Sequence, residues 1–149
     1  MDHETRQSIL DVISAGQDLT LATIRSDGWP QATTVSYVGD GLTIYFAVGT
    51  DSQKARNIES CDKVSVAIDL PYKTWDDIKS ISMAATAAFV TDEEELGWAG
   101  TLMMEKFPQV ADLPSPDPND FRVVKLTPKV ISLLDYSKGF GHTSLVEAV

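Results

Sequence analysis

Leu19 to Val48 reads LTLATIRSDGWPQATTVSYVGDGLTIYFAV, three segments rich in β-branched and aromatic residues (19–25, 30–38 and 42–48) parted by Ser26-Asp27-Gly28 and Gly39-Asp40-Gly41. Such triplets between such segments are hairpin signals, because glycine takes up the positive φ that tight turns require. The run therefore predicts a three-stranded antiparallel meander. Downstream, KVSVAID (63–69) is another strand, and SISMAATAAFV (80–90) a longer one whose Ala84, Ala85, Ala87 and Ala88 leave space for something packed close by. FRVVKLT and KVISLLD read as a final strand pair broken at Pro128, since proline cannot donate to a ladder. Six or seven short, mostly antiparallel strands with little βαβ alternation predict a mainly β fold, a closed or partly closed barrel with two or three peripheral helices.

Helical signals flank these strands. Residues 4–15 place Ile9, Val12 and Ile13 at helical spacing ahead of Gly16, and Thr91 followed by Glu94 forms a capping-box pattern for a helix through about Lys106. Residues 107–120 are a proline-rich loop, and 136–149 a tail without clear period. At 149 residues, 43% of them hydrophobic, the chain fits one domain over 1–149, with barrel strands spanning about 19–135. A formal net charge of −10 argues against a nucleic-acid surface, which needs clustered Lys and Arg, yet allows a small phosphorylated ligand. Cys61 is the single cysteine, so neither an intramolecular disulfide nor a cysteine-rich zinc site forms. A charged start and the lack of any bilayer-length apolar run lead to the expectation of a soluble, cytoplasmic protein without membrane contact.

Chemistry concentrates in FAVGTDSQKARNIES, Phe46 to Ser60. Thr50, Asp51 and Ser52 are all good N-cap residues, and Lys54 and Arg56 follow just inside a helix whose N-terminus is already partly positive. An anion at the unpaired first-turn N–H groups explains that placement; a capped helix with solvated cations is the alternative. At 100° per residue the two cations lie about 200° apart, so at most one contacts such an anion. No Ser-His-Asp or paired-carboxylate spacing is present, and His3 and His142 sit near opposite ends of the chain. Asp92 to Glu95 complement their own helix N-terminus rather than a metal. Of the three tryptophans, Trp75, in a loop beside Pro71 and Tyr72, is the one read as a ligand contact.

Taken together, Leu21 to Ile68 resembles the pyridoxamine 5'-phosphate oxidase-like family of FMN-binding split barrels. The resemblance rests on the D-G-x-P turn (Asp27–Pro30), the strand after it, L-x-x-Y-F (Leu42–Phe46) and S-x-K-A-R-N (Ser52–Asn57), in that order. More loosely, SISMAATAAFVTDEEE and FRVVKLTPKVISLLD fit later segments, so that nearly the whole chain is covered. It implies an FMN phosphate held by Lys54, Gln53, Ser52 and Thr50, with the isoalloxazine along Thr34, Val35 and Ser36 and closed by Ala47 and Val48. A site at the interface of a homodimer is implied too, with the alanine-rich strand from Ser82 as the partner-side wall. Lys138 and His142, in the glycine-containing tail, are candidates for contacts near flavin or substrate.

Departures from the family bear on the substrate. No arginine follows Arg122, whereas true pyridoxamine phosphate oxidases carry a basic C-terminal segment that grips the substrate phosphate. A deazaflavin-binding relative is expected to offer more basic surface than this chain does. The expectation is an FMN-dependent oxidoreductase acting on an unidentified small substrate or electron donor, with the redox chemistry carried by the flavin and no side chain obliged to act as a base. A non-catalytic flavin sensor or carrier is the alternative, and a haem- or deazaflavin-binding barrel a weaker one; no histidine in the barrel strands offers an axial ligand.

Overall fold

Alternation of buried and exposed residues through DLTLATI makes Asp18–Ile24 the first strand, β1, and its hairpin partner is β2, Pro30–Ser36, in register from Asp18↔Ser36 to Ile24↔Pro30. Gly28 takes φ +88° in the connecting turn, and Asp27 pairs with Arg25 at 3.1 Å while accepting from the Trp29 amide. The computed structural model describes residues 1–114 and 117–148; two positions of the proline-rich segment and the last residue of the tail lie outside the described residues.

The expected meander stops after its first hairpin. Alternation breaks at Tyr37 and Val38, which are both buried but in different clusters: Tyr37 in the main core, Val38 beneath the third helix. The chain turns there, and β3 (Val38–Asp40) forms a second hairpin with β4 (Thr43–Gly49). β4 then pairs with β7 (Phe121–Asp135), not with β2. With β5 (Lys63–Asp69) and β6 (Lys79–Phe89) between, the strand order is β2-β1-β5-β6-β7-β4-β3. Because residues 30–40 supply both ends of that order, the sheet curls into a mostly antiparallel barrel, split between β2 and β4.

Two further expectations are corrected near the C-terminus. Pro128 does not end a strand: β7 runs unbroken through it, paired with β6 from Val124 to Asp135. On the other side β7 pairs with β4 as far as Leu126 and with β8 (Thr143–Glu147) from Val130, so the missing N–H falls where β7 has one neighbour only. A register shift opposite Ala84 and Ala85 takes up the extra residue. The tail, read as aperiodic, supplies β8 and so an eighth strand among the described residues.

Three α-helices pack on this barrel. α1 (His3–Ala15) begins where Asp2 accepts from the Thr5 amide and buries Ile9, Val12 and Ile13 in the main core. A Cβ on Gly16 just beyond it would stand 2.5 Å from the Tyr37 hydroxyl and 2.7 Å from Ile68, so that position needs glycine for close approach. α2 (Gln53–Ser60) follows β4. α3 (Glu93–Lys106) is capped by Asp92, which accepts from the Glu95 amide at 2.9 Å, one residue later than the expected Thr91 cap. At its far end Lys106 donates to the Tyr37 carbonyl at 3.0 Å and sits 3.9 Å above the Tyr37 ring; burial lowers its pKa. None of the described helices is long and apolar enough to cross a membrane.

Candidate functional site

The first turn of α2 divides the polar residues expected to hold an anion into engaged and free. Ser52 is the N-cap: its hydroxyl accepts from the Ala55 amide at 3.2 Å and donates to the Gly49 carbonyl at 2.7 Å. Thr50 donates to the Asn119 carbonyl at 2.6 Å. Gln53 turns inward, donating to the Asn57 side chain at 2.7 Å, and its oxygen accepts from Arg56. Arg56 also donates to the Asp51 carbonyl at 2.6 Å, so it is engaged at the start of α2 and the turn before it. Lys54 makes no hydrogen bond or ion pair among the described residues, and the Gln53 and Lys54 amides, as first-turn donors, have no partner either. The side chains of Thr50, Ser52 and Gln53 are thus committed to structure, and the free donors are Lys54 and two backbone amides.

Asn57, quoted with this motif but given no role by the sequence, anchors the helix. It is 1% exposed, and its amide donates to Thr23 at 2.9 Å and Gln31 at 3.2 Å, tying α2 to β1 and β2 on one side of the split. Its place in the S-x-K-A-R-N motif, at the inward angle of an amphipathic helix, was the available signal.

The split itself exposes two strand edges. Among the described residues β2 pairs only with β1, and β3 reaches along β4 only as far as Tyr45, so the outer edges of residues 30–36 and 46–49 have no strand neighbour there. Their outward backbone groups are available to a ligand. Val35, Ser36 and Ala47 also line a groove of about 800 Å³ beneath α3. Val48 does not, since its side chain is buried in the core, and Thr34 is exposed without lining the groove. Ser36 donates to Asp18 at 2.8 Å.

Most of the groove comes from residues the sequence did not single out: Leu96, Gly97, Gly100 and Met104 of α3, and Phe121 and Val123 of β7. They lie 61 to 88 positions from Val35, beyond any local pattern. Tyr45 forms part of the wall; its hydroxyl donates to Glu95 at 3.0 Å, and Glu95 accepts from Lys125 at 2.8 Å. Burial, then the Glu95 carboxylate, push the Tyr45 pKa up to about 12. Lys125 and Tyr45 hold that of Glu95 below its usual range. Asp92 and Glu95 are therefore accounted for by a cap and an ion pair.

The remaining candidates fall elsewhere. Ser82 is exposed on the outer sheet face, in a register row of small residues, Thr34-Thr20-Ala67-Ser82-Ser132, beside a second row, Ala32-Ala22-Ser65-Ala84. Trp75 is 65% exposed and packs on Phe140, ring centroids 5.7 Å apart, and Tyr136 meets the same Phe140 ring edge-on at 5.4 Å. Lys138 pairs with Glu4 at 3.3 Å, and the His142 backbone closes the turn before β8. None of these four lines the groove.

An antiparallel barrel opened between β2 and β4, with a capped helix presenting a lysine at the end of β4, is a split barrel. The family model for pyridoxamine 5'-phosphate oxidase matches residues 6–135, and the chain belongs to that family. Among solved structures it is similar to a haem-binding protein from Mycobacterium smegmatis (TM-score 0.83, 20% identity, 99% of this chain and 59% of that one). It is similar as well to a conserved hypothetical protein from Mycobacterium tuberculosis (TM-score 0.77, 26% identity, 99% and 94%). HutZ, a haem storage protein from Vibrio cholerae, aligns with TM-score 0.69 and 24% identity over 83% and 89%. The chain thus spans little more than half of the first of these and most of the other two. No curated protein sequence matches it.

Proposed function

We propose that this chain is a homodimeric FMN-binding oxidoreductase acting on a small substrate. The observation that carries the reading is the difference between the two cations of α2: Arg56 is bound back onto Asp51 and Gln53, whereas Lys54 and the Gln53 and Lys54 amides are free. A lysine with two helix N-terminal amides suits a phosphate dianion. Across the split, the unpaired edges of β2 and β4 offer backbone donors and acceptors in the directions a planar heterocycle with ring amide groups uses, and Ala47 leaves room for a ring to lie close. When bound, FMN supplies hydride-transfer chemistry. The chain's own part is to hold the phosphate at Lys54, orient the ring along the two edges, and exclude water with the apolar wall under α3. The small-residue rows around Ser82 and Ala84 support a flat contact with a second copy, which would shelter the open side of the split.

Haem is the second reading, because two proteins of this fold are named for binding or storing it. Neither histidine lines the groove; the sulfurs of Met103 and Met104 are the available soft ligands there. Titration of the purified protein with FMN, FAD, riboflavin and hemin separates the readings. FMN binding more tightly than FAD or riboflavin is the expected result, and a tight hemin complex without flavin binding overturns it. Anaerobic mixing of the FMN complex with NADH or NADPH then distinguishes an enzyme from a carrier or sensor.

A further inference from the structure

Gly97 and Gly100 stand in the middle of α3, where glycine is the least favourable residue short of proline, and a Cβ on either meets nothing within 4 Å among the described residues. No packing among the described residues requires them. Both face the groove, which at about 800 Å³ has the size of a small-molecule site. Among the described residues no charged side chain lines it. Behind its wall, the Tyr45 hydroxyl and the Lys125 ammonium are both taken up by Glu95, so no charge is left to pair with one on a ligand. The groove is continuous with the split through Val35, Ser36 and Ala47.

We infer that this groove is the substrate subsite of the flavin site and takes an uncharged, predominantly apolar small molecule, lying against the glycine face of α3 with one end at Ser36 and Ala47; the substrate assignment rests on the flavin reading above. An apolar ligand gains from burial against Leu96, Met104 and Phe121, and the two glycines let it approach the helix backbone. A phosphorylated or carboxylated substrate finds no partner on these walls and loses its hydration.

N-phenyl-1-naphthylamine and its sulfonated analogue 1-anilinonaphthalene-8-sulfonate share one apolar body and differ by a charge, so the pair tests the assignment by fluorescence. The neutral probe is expected to bind one per chain, at least tenfold more tightly than the sulfonate, and to perturb the absorption of bound FMN. Gly100→Leu fills the groove while improving helix propensity; it should weaken the neutral probe at least tenfold, leave FMN affinity within twofold, and not lower the Tm. Glu94→Leu, on the same helix outside the groove, should leave the probe unaffected. Equal binding of both probes, or an unchanged affinity in Gly100→Leu, overturns the inference. So does a Gly100→Leu protein that sediments as a smaller species with probe binding intact, which would make the groove an interface between copies. If FMN fails to bind while the probes behave as expected, the flavin reading falls and the ligand class stands; if FMN binds and the neutral probe does not, the groove inference alone falls.

Discussion

The guanidinium of Arg56 donates to the carboxamide oxygen of Gln53 at 3.0 Å, a bridge across one turn of α2 that leaves Lys54 as the cation without a partner there. Lys54→Ala should therefore weaken FMN by about tenfold to a hundredfold, the equivalent of roughly 1.5–3 kcal/mol for a charge-assisted phosphate contact. Riboflavin, which lacks the phosphate, should bind the variant as it binds the parent. Arg56→Ala should change FMN affinity little, with any loss appearing in stability. Calorimetric titration decides: equal losses for FMN and riboflavin would mean that Lys54 acts through folding.

Ala84 lies exposed in the small-residue rows of the outer sheet face, so Ala84→Arg places a long charged side chain on the proposed contact between copies. Sedimentation should show a dimer for the parent and a monomer for the variant. If flavin binds only the assembled pair, FMN affinity must fall with dimerisation by linkage. A monomeric parent with full FMN affinity would contradict both.

Asn57 joins α2 to the β1–β2 hairpin through buried hydrogen bonds. Asn57→Leu leaves Thr23, Gln31 and Gln53 with lost partners and should cost about 1–3 kcal/mol. For a chain of this length that corresponds to a Tm lower by roughly 2–4 °C for each kcal/mol. Urea denaturation giving a change below about 0.5 kcal/mol would show that solvent satisfies these groups instead.

Tyr45 sets a pH limit on stability. Its folded pKa, about 12, lies above the ordinary 10.0, because burial and the adjacent Glu95 carboxylate disfavour the phenolate. A group raised on folding contributes stability fully below the unfolded value and loses it as pH rises through the folded one. Stability should therefore decline between about pH 10 and about pH 12, and Tyr45→Phe should remove its share of that decline. Ultraviolet titration should show one late-ionising tyrosine fewer in the variant. An unchanged late fraction would exclude Tyr45 as its source.

Strand content, the first hairpin, the capped helix after β4 and the family were all legible locally, because each depends on residues within one or two turns: the Asp27-Gly28 turn, the alternation of DLTLATI, the order of D-G-x-P and S-x-K-A-R-N. That Lys54 and Arg56 face about 200° apart was legible too. That the barrel is split came from the resemblance to a family; local pattern instead suggested a meander, because the split depends on β4 pairing with β7, more than 70 positions away, rather than with its neighbour in sequence, while Tyr37 and Val38 bury into two different clusters. Continuity of β7 through Pro128 likewise rests on which strands lie beside it. Nor did the motif reveal that the hydroxyls of Ser52 and Thr50 and the carboxamide of Gln53 are already bonded, or that two helical glycines face a groove walled by Val35 and Phe121. Propensity and turn chemistry are properties of a local stretch; whether a donor is free or a face is covered is settled by distant partners, and only the folded chain brings those together.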